Sequence, residues 1–153
     1  MAETAKMIVF RLNSEQYGAG ISQVRSIERL ENVTEVPRTP EFIKGVINLR
    51  GVITPVIDLK ERLALHHGEA APSCHVLIIT IDETQVGLIV DEVLGVQDMD
   101  ESVIDPAPAM IGGVSAEYLE GIAKLEDRLL ILLDLKKLLN KEEVNQAQEV
   151  IVG

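Results

Sequence analysis

The chain has 153 residues, 46% of them hydrophobic but only 3% aromatic and none tryptophan, so its core is aliphatic and fits one domain or two small subdomains. A formal net charge of -11 argues against nucleic acid as a partner and suits a basic one. The single cysteine, Cys74, excludes an internal disulfide and fits a reducing compartment.

Residues 1–6 lack the basic and apolar regions of a signal peptide. Residues 7–12 and 16–20 flank the polar turn Asn13-Ser14-Glu15, which predicts a hairpin. Residues 24–30 read as a third short strand or turn. Pro37 and Pro40 mark a loop, and Glu41-Phe42-Ile43 one helical turn. Val46–Leu49 runs into the tight turn Arg50-Gly51, and Val52–Leu59 is an apolar strand. Pro55 inside it predicts an edge position or a bulge. Lys60–Leu65 reads as a short helix, and 66–74 as a linker. Strands follow at 75–81 and 85–90, then a longer loop with Pro106, Pro108 and Gly112-Gly113. Tyr118–Leu125 and Leu129–Leu135 form a second long hairpin. A terminal helix is expected to begin at Lys136–Asn140, with 141–153 as its continuation or a tail. The longest apolar run, Leu129–Leu133, is far short of the roughly 20 residues that span a bilayer. The expectation is a soluble, cytoplasmic protein.

The order of elements occurs twice. At the spacing that carries Lys6 onto His75, Gln16 and Gly18 meet Gln85 and Gly87, and Ile21, Val24 and Ile27 meet Val90, Val93 and Val96. At a wider spacing, Gly45, Leu49, Asp58, Leu59 and Lys60 meet Gly121, Leu125, Asp134, Leu135 and Lys136. A unit this long present only twice is no solenoid. Short strands, many turns and little amphipathic helix predict an all-β fold. Each repeat, about 6–65 and 75–140, is the size of a small five-stranded SH3-like or OB-like barrel. The two are expected to share an apolar seam, with strand exchange between them possible.

Little here does chemistry. His66, His67, Cys74 and His75 match no zinc spacing. Cys74 and His75 are neighbours on an expected strand, so they point to opposite faces and make a poor nucleophile–base pair. Gly45–Gly51 lacks a phosphate-binding spacing. Asp58 and Asp134 occupy equivalent positions at strand ends, which predicts that both cap the turn that follows. No catalytic residue, cofactor or metal is expected.

Taken together, Val36-Pro37, Pro40, the run Phe42-Ile43-Lys44-Gly45-Val46-Ile47-Asn48-Leu49-Arg50-Gly51, then Pro55–Leu59, Gly87–Val93, Tyr118–Gly121 and Leu130–Leu135 closely resemble the CheW family of bacterial chemotaxis coupling proteins over roughly residues 5–140. The resemblance implies two five-stranded SH3-like barrels on a shared hydrophobic core, with a short C-terminal helix. It implies a non-catalytic adaptor, monomeric when free and peripheral to membrane-receptor arrays without inserting in the bilayer. Its partners would be the regulatory domain of the histidine kinase CheA and the cytoplasmic tip of a methyl-accepting chemoreceptor. Alternatives are the same adaptor in a non-flagellar chemosensory pathway, or a small-molecule-binding double barrel. The receptor-contacting positions carry over to Val24 and Arg50, with Ile27, Gly45, Leu49, Gly51, Val76 and Leu77 as neighbours. One departure matters. The acidic residue usual before the family's isoleucine is Ser26 here, and the nearest acid is Glu28. On a strand these share a face, so Glu28 is expected to pair with Arg50.

Overall fold

The computed structural model of the chain describes residues 4–30, 32–37, 39–65, 74–106, 110–111 and 114–152. The linker expected at 66–74, apart from Cys74, lies outside these residues, as do Pro108 and Gly112-Gly113. In chain order the strands and helices are β1 (Thr4–Leu12), β2 (Glu15–Gly20), β3 (Ser26–Arg29), β4 (Ile43–Leu49), β5 (Val52–Asp58), α1 (Leu59–Arg62), β6 (His75–Ile81), β7 (Thr84–Val90), β8 (Glu92–Asp100), β9 (Ile104–Asp105), β10 (Met110–Ile111), β11 (Val114–Ser115), β12 (Leu119–Lys124), β13 (Leu129–Leu133) and α2 (Lys141–Val152). Tight turns join the hairpins. Asp82 and Glu83, between β6 and β7, both take positive φ, the geometry that matches strand twist in a two-residue hairpin.

Two sheets carry the fold. The first runs β8-β1-β2-β13-β12-β9, the second β3-β6-β7-β5-β4. Each therefore holds the leading hairpin of the opposite half of the sequence: β1–β2 sits among β8, β12 and β13, and β6–β7 among β3, β4 and β5. Each inserted hairpin meets its host in parallel on one side, Gly18 opposite Leu132 and Gly87 opposite Val56, and antiparallel on the other, β1 with β8 and β6 with β3. Both sheets also curl until their edges meet. After β3 the chain reaches the far edge, where Thr34 bridges Val46, and after β8 the chain crosses to pair β9 with β12. That sixth, two-residue strand is the first sheet's addition to the five strands expected per barrel.

The alternation along each central strand explains the packing. On β1, Met7 and Val9 face a cluster inside the first sheet with Met99, Ala123, Leu130 and Leu132. On β6, Val76 and Ile78 face a cluster inside the second with Ile47 and Val56. The opposite faces, Ile8, Phe10 and Leu12 from β1 and Leu77, Ile79 and Ile81 from β6, meet in one core between the sheets. There the Phe10 and Tyr17 rings stack with centroids 6.2 Å apart. Each such side chain stabilises by about 1.5–3 kcal/mol when fully buried.

Three local expectations are refined. Pro55 lies on β5, an interior strand rather than an edge. Val46 exchanges both backbone hydrogen bonds with Thr34, so its pairing with Pro55 across β4–β5 uses neither residue's N–H. Pro55 faces the β7 side, where the register begins only at Val56, so its missing donor is not required. Glu41-Phe42 forms no helix; Ile43 N donates to Pro40 O at 3.0 Å and closes a single turn. The terminal helix begins at Lys141 rather than near Lys136, which lies in a 3-10 turn. Asn140 sets the start: its side chain accepts from Glu143 N at 2.8 Å while the Glu143 carboxylate accepts from Asn140 N at 3.0 Å, a reciprocal capping box. Asp58 and Asp134 cap as expected, accepting from Lys60 N at 2.9 Å and Lys136 N at 3.2 Å.

One polar knot crosses the seam. Asp91, between β7 and β8, accepts from Lys60 Nζ at 2.8 Å and from Asn13 N at 2.7 Å. The side chains of Lys60 and Asp91 are only 10% and 6% exposed. Lys60→Met strands the Asp91 carboxylate and is expected to lower stability by about 3–5 kcal/mol in urea denaturation. Lys60→Met with Asp91→Leu should recover part of that loss; equal destabilisation would deny the pair its role.

Candidate recognition site

Arg50 and Gly51 form the two-residue turn between β4 and β5, with φ of 50° and 87°. Asn48 Oδ1 accepts from Gly51 N at 2.8 Å and braces the turn from below. A left-handed arginine is uncommon outside such turns. Arg50 Nη2 donates to Glu28 Oε1 on β3 at 2.7 Å. Because β3 and β4 are opposite edges of the second sheet, the ion pair spans the line where the sheet curls shut. The Arg50 side chain is 72% exposed and that of Glu28 21%. At that exposure the pair stabilises by at most about 1 kcal/mol. Glu28 engages one terminal nitrogen, and the rest of the guanidinium, on a largely exposed side chain, has further N–H donors.

Exposed aliphatic side chains lie on the same segments as the pair: Ile27 precedes Glu28 on β3, and Val52 and Ile53 follow the turn on β5. Ile27, Val33, Val52 and Ile53 are all among the large apolar residues left open to solvent. Such clusters mark interaction surfaces more often than isolated exposed residues do. The other expected site residues play supporting parts. Val24 is half-buried against the core between the sheets, and Leu49 half-buried against the second sheet's cluster. Gly45 is buried, and a Cβ there would stand 2.4 Å from Thr34 O and 2.7 Å from Val33 Cγ1. The bare backbone lets the sheet close. Its repeat partner Gly121 does the same beneath β9, where a Cβ would lie 2.7 Å from Asp105 O.

Val76 and Leu77 require correction as contact residues. Both are fully buried. They lie on β6 directly across from Glu28 and Ile27 and hold β3 in place. A central strand covered on both faces offers a partner no surface.

The exposed apolar residues were beyond sequence reasoning, since a strand's periodicity does not say which face stays open. The repeat carries a partial signal. Val96 and Leu129, equivalent to Ile27 and Ile53, are also exposed on the first sheet, as is Leu94. There Arg128 Nη2 donates to Gln97 Oε1 at 2.8 Å, and Gln97 is the repeat equivalent of Glu28.

Chemistry finds little support. Burial, then Asp91, pushes the Cys74 thiol up, away from the thiolate a nucleophile needs. His75 Nδ1 instead faces the Val93 N–H at 3.4 Å. Among the described residues no three His, Cys, Asp or Glu side chains are grouped as a metal site, and no helix is long and apolar enough to cross a membrane. A cleft of about 750 Å³ beside α1 is lined by Phe42, Ile57, Asp58 and Arg62, among others. Its polar groups are largely engaged: Asp58 caps α1, and Arg62 holds Glu143 through two hydrogen bonds of 2.6 and 2.8 Å.

Comparison with known proteins places these features in a family. The pattern of the CheW-like domain matches residues 6–143. The chain is 42% identical to the chemotaxis protein CheW of Bacillus subtilis, covering 93% of this chain and 91% of that one. It is 39% identical to the chemotaxis protein CheW of Klebsiella aerogenes over 91% and 84%. The crystal structure of the scaffolding protein TtCheW from Thermoanaerobacter tengcongensis superposes with a TM-score of 0.82 at 38% identity, over 92% of this chain and 90% of that one.

The surface position of the ion pair carries a direct expectation. Arg50→Ala or Glu28→Gln should change unfolding free energy by less than about 1 kcal/mol, whereas Gly45→Val, which drives a side chain into Thr34, should cost several times more. Comparable losses for all three in a denaturant series would make the pair structural.

Proposed function

The chain belongs to the CheW-like family and is a coupling adaptor of chemotaxis signalling, and from that premise we propose how it couples. The adaptor acts without catalysis, holding two proteins at once: the cytoplasmic tip of a chemoreceptor and the regulatory domain of the kinase CheA. It does so at the cytoplasmic side, peripheral to receptor arrays. The observation that supports the receptor assignment is the Arg50–Glu28 pair, with Arg50 largely exposed at a turn whose neighbouring segments carry the exposed Ile27, Val52 and Ile53. Apolar side chains supply contact area, and the arginine fork reads an acidic or amide group on a helical tip. Val24, Gly45 and Leu49 shape this surface from beneath, and Gly51 completes its turn. The kinase takes a separate exposed apolar face, so both partners can be bound together.

Exchanging the charges tests the receptor assignment. Glu28→Arg and Arg50→Glu should each weaken binding to a receptor cytoplasmic fragment by about tenfold or more, as expected for a hydrogen-bonded interface charge, and the double reversal should regain part of it. Chemical-shift mapping with each partner in turn should give separate footprints, the receptor's centred on Ile27, Glu28, Arg50 and Gly51. One common footprint would rule out simultaneous coupling.

A further inference from the structure

Gln23 lies in the 3-10 turn Ile21–Gln23, where the chain leaves β2 of the first sheet for β3 of the second. Its side chain reaches back to the first sheet. Oε1 accepts from Leu135 N at 2.7 Å, and Nε2 faces Leu133 O at 3.5 Å and Glu120 Oε2 at 3.4 Å. Leu133 ends β13, and Leu135 opens the turn that Asp134 caps. A carboxamide can answer both a backbone N–H and a nearby C=O; a carboxylate or an apolar side chain cannot. The short bond to Leu135 is the principal tie, and the two longer contacts orient the amide around it.

The far side of this clamp is equally taut. Only Val24, Arg25 and Ser26 separate Gln23 from Ile27, and Arg25 N is held to Ile78 O at 2.7 Å. β3 then runs in register with β6, with Glu28 reaching Arg50. Besides Val24, which packs against the core between the sheets, Gln23 thus refers β3 to the first sheet through one half-buried neutral side chain. The other crossing, from β7 to β8, is fastened by Asp91 with a buried charge. The two crossings differ in kind: one is locked by a buried ion pair, the other tied at a half-buried site by neutral hydrogen bonds.

We propose that Gln23 is a positioning residue for the recognition surface: its carboxamide sets how β3, and with it Ile27, Glu28 and Arg50, stands against the end of β13, so that a change at one sheet alters presentation on the other. The inference rests on the reading of that surface as the receptor site.

The test uses the full chain as Gln23→Met, Arg50→Ala and the double variant, titrated with a receptor cytoplasmic fragment. Backbone amide exchange is recorded on each free protein. Gln23→Met should speed exchange at Leu135 and across Ser26–Arg29 and weaken binding by about threefold to tenfold, the loss of one neutral hydrogen bond. In the Arg50→Ala background the same change should cost much less, because both residues act through one surface. Fully additive losses, or exchange across Ser26–Arg29 that does not change, would overturn the proposal. If Arg50→Ala leaves receptor binding intact, the receptor assignment fails, and exchange across Ser26–Arg29 alone decides the clamp. Should Gln23→Met unfold, Gln23→Glu keeps the oxygen that accepts from Leu135 but sets a carboxylate against Leu133 O and Glu120. Leu135 should then stay protected while β3 exchanges faster, and an unaltered β3 again overturns the idea.

Discussion

Everything in this fold follows from two strands that must bury both faces. β1 and β6 are apolar at successive positions, so neither can sit on a sheet with one side in water. One face of each fills the interior of a curled sheet, and the other meets its counterpart across the seam. A hairpin satisfying both demands has to lie where the sheets touch. That places β1–β2 and β6–β7 back to back at the centre, each hosted by strands from the other half. Neither half could then fold alone with its full core.

The duplicated residues serve this scaffold and the unduplicated ones interrupt it. Gly45 and Gly121 permit the same close approach at the same place in each sheet, and Asp58 and Asp134 start the same turn. The symmetry breaks at the hairpin ends. Arg50-Gly51 closes a two-residue turn, whereas the equivalent turn in the other half, closed by Leu125 N donating to Arg128 O, carries Glu126-Asp127. The first turn sets its arginine against Glu28, and Arg128, just beyond the second, donates to Gln97. Recognition is possible where the scaffold does not demand a particular residue.

Electrostatics divides along the same line. Lys60–Asp91 is buried at the seam, where desolvation makes the loss of either partner costly and so fixes the arrangement of three chain segments. Arg50–Glu28 is far more open, with its arginine largely exposed, and adds little to stability. Gln23 stands between these extremes, neutral and half-buried, tying the sheets by hydrogen bonds alone.

The amino-acid sequence by itself determined the all-β class, the twofold repetition, the strand-end caps and the family, because periodicity, turn residues and the run from Phe42 to Gly51 are local signals. It also pointed to Glu28 as the acid within reach of Arg50, since strand residues of like parity share a face. Only the tertiary structure decided which hairpin belongs to which sheet, because either sheet presents the same pattern to an incoming strand pair. It alone showed that Val76 and Leu77 are covered while Val52 and Ile53 are open, a distinction set by neighbours distant in sequence. And it alone revealed the clamp of Gln23, whose partners Leu133 and Leu135 lie at the far end of the chain, where no spacing rule connects them.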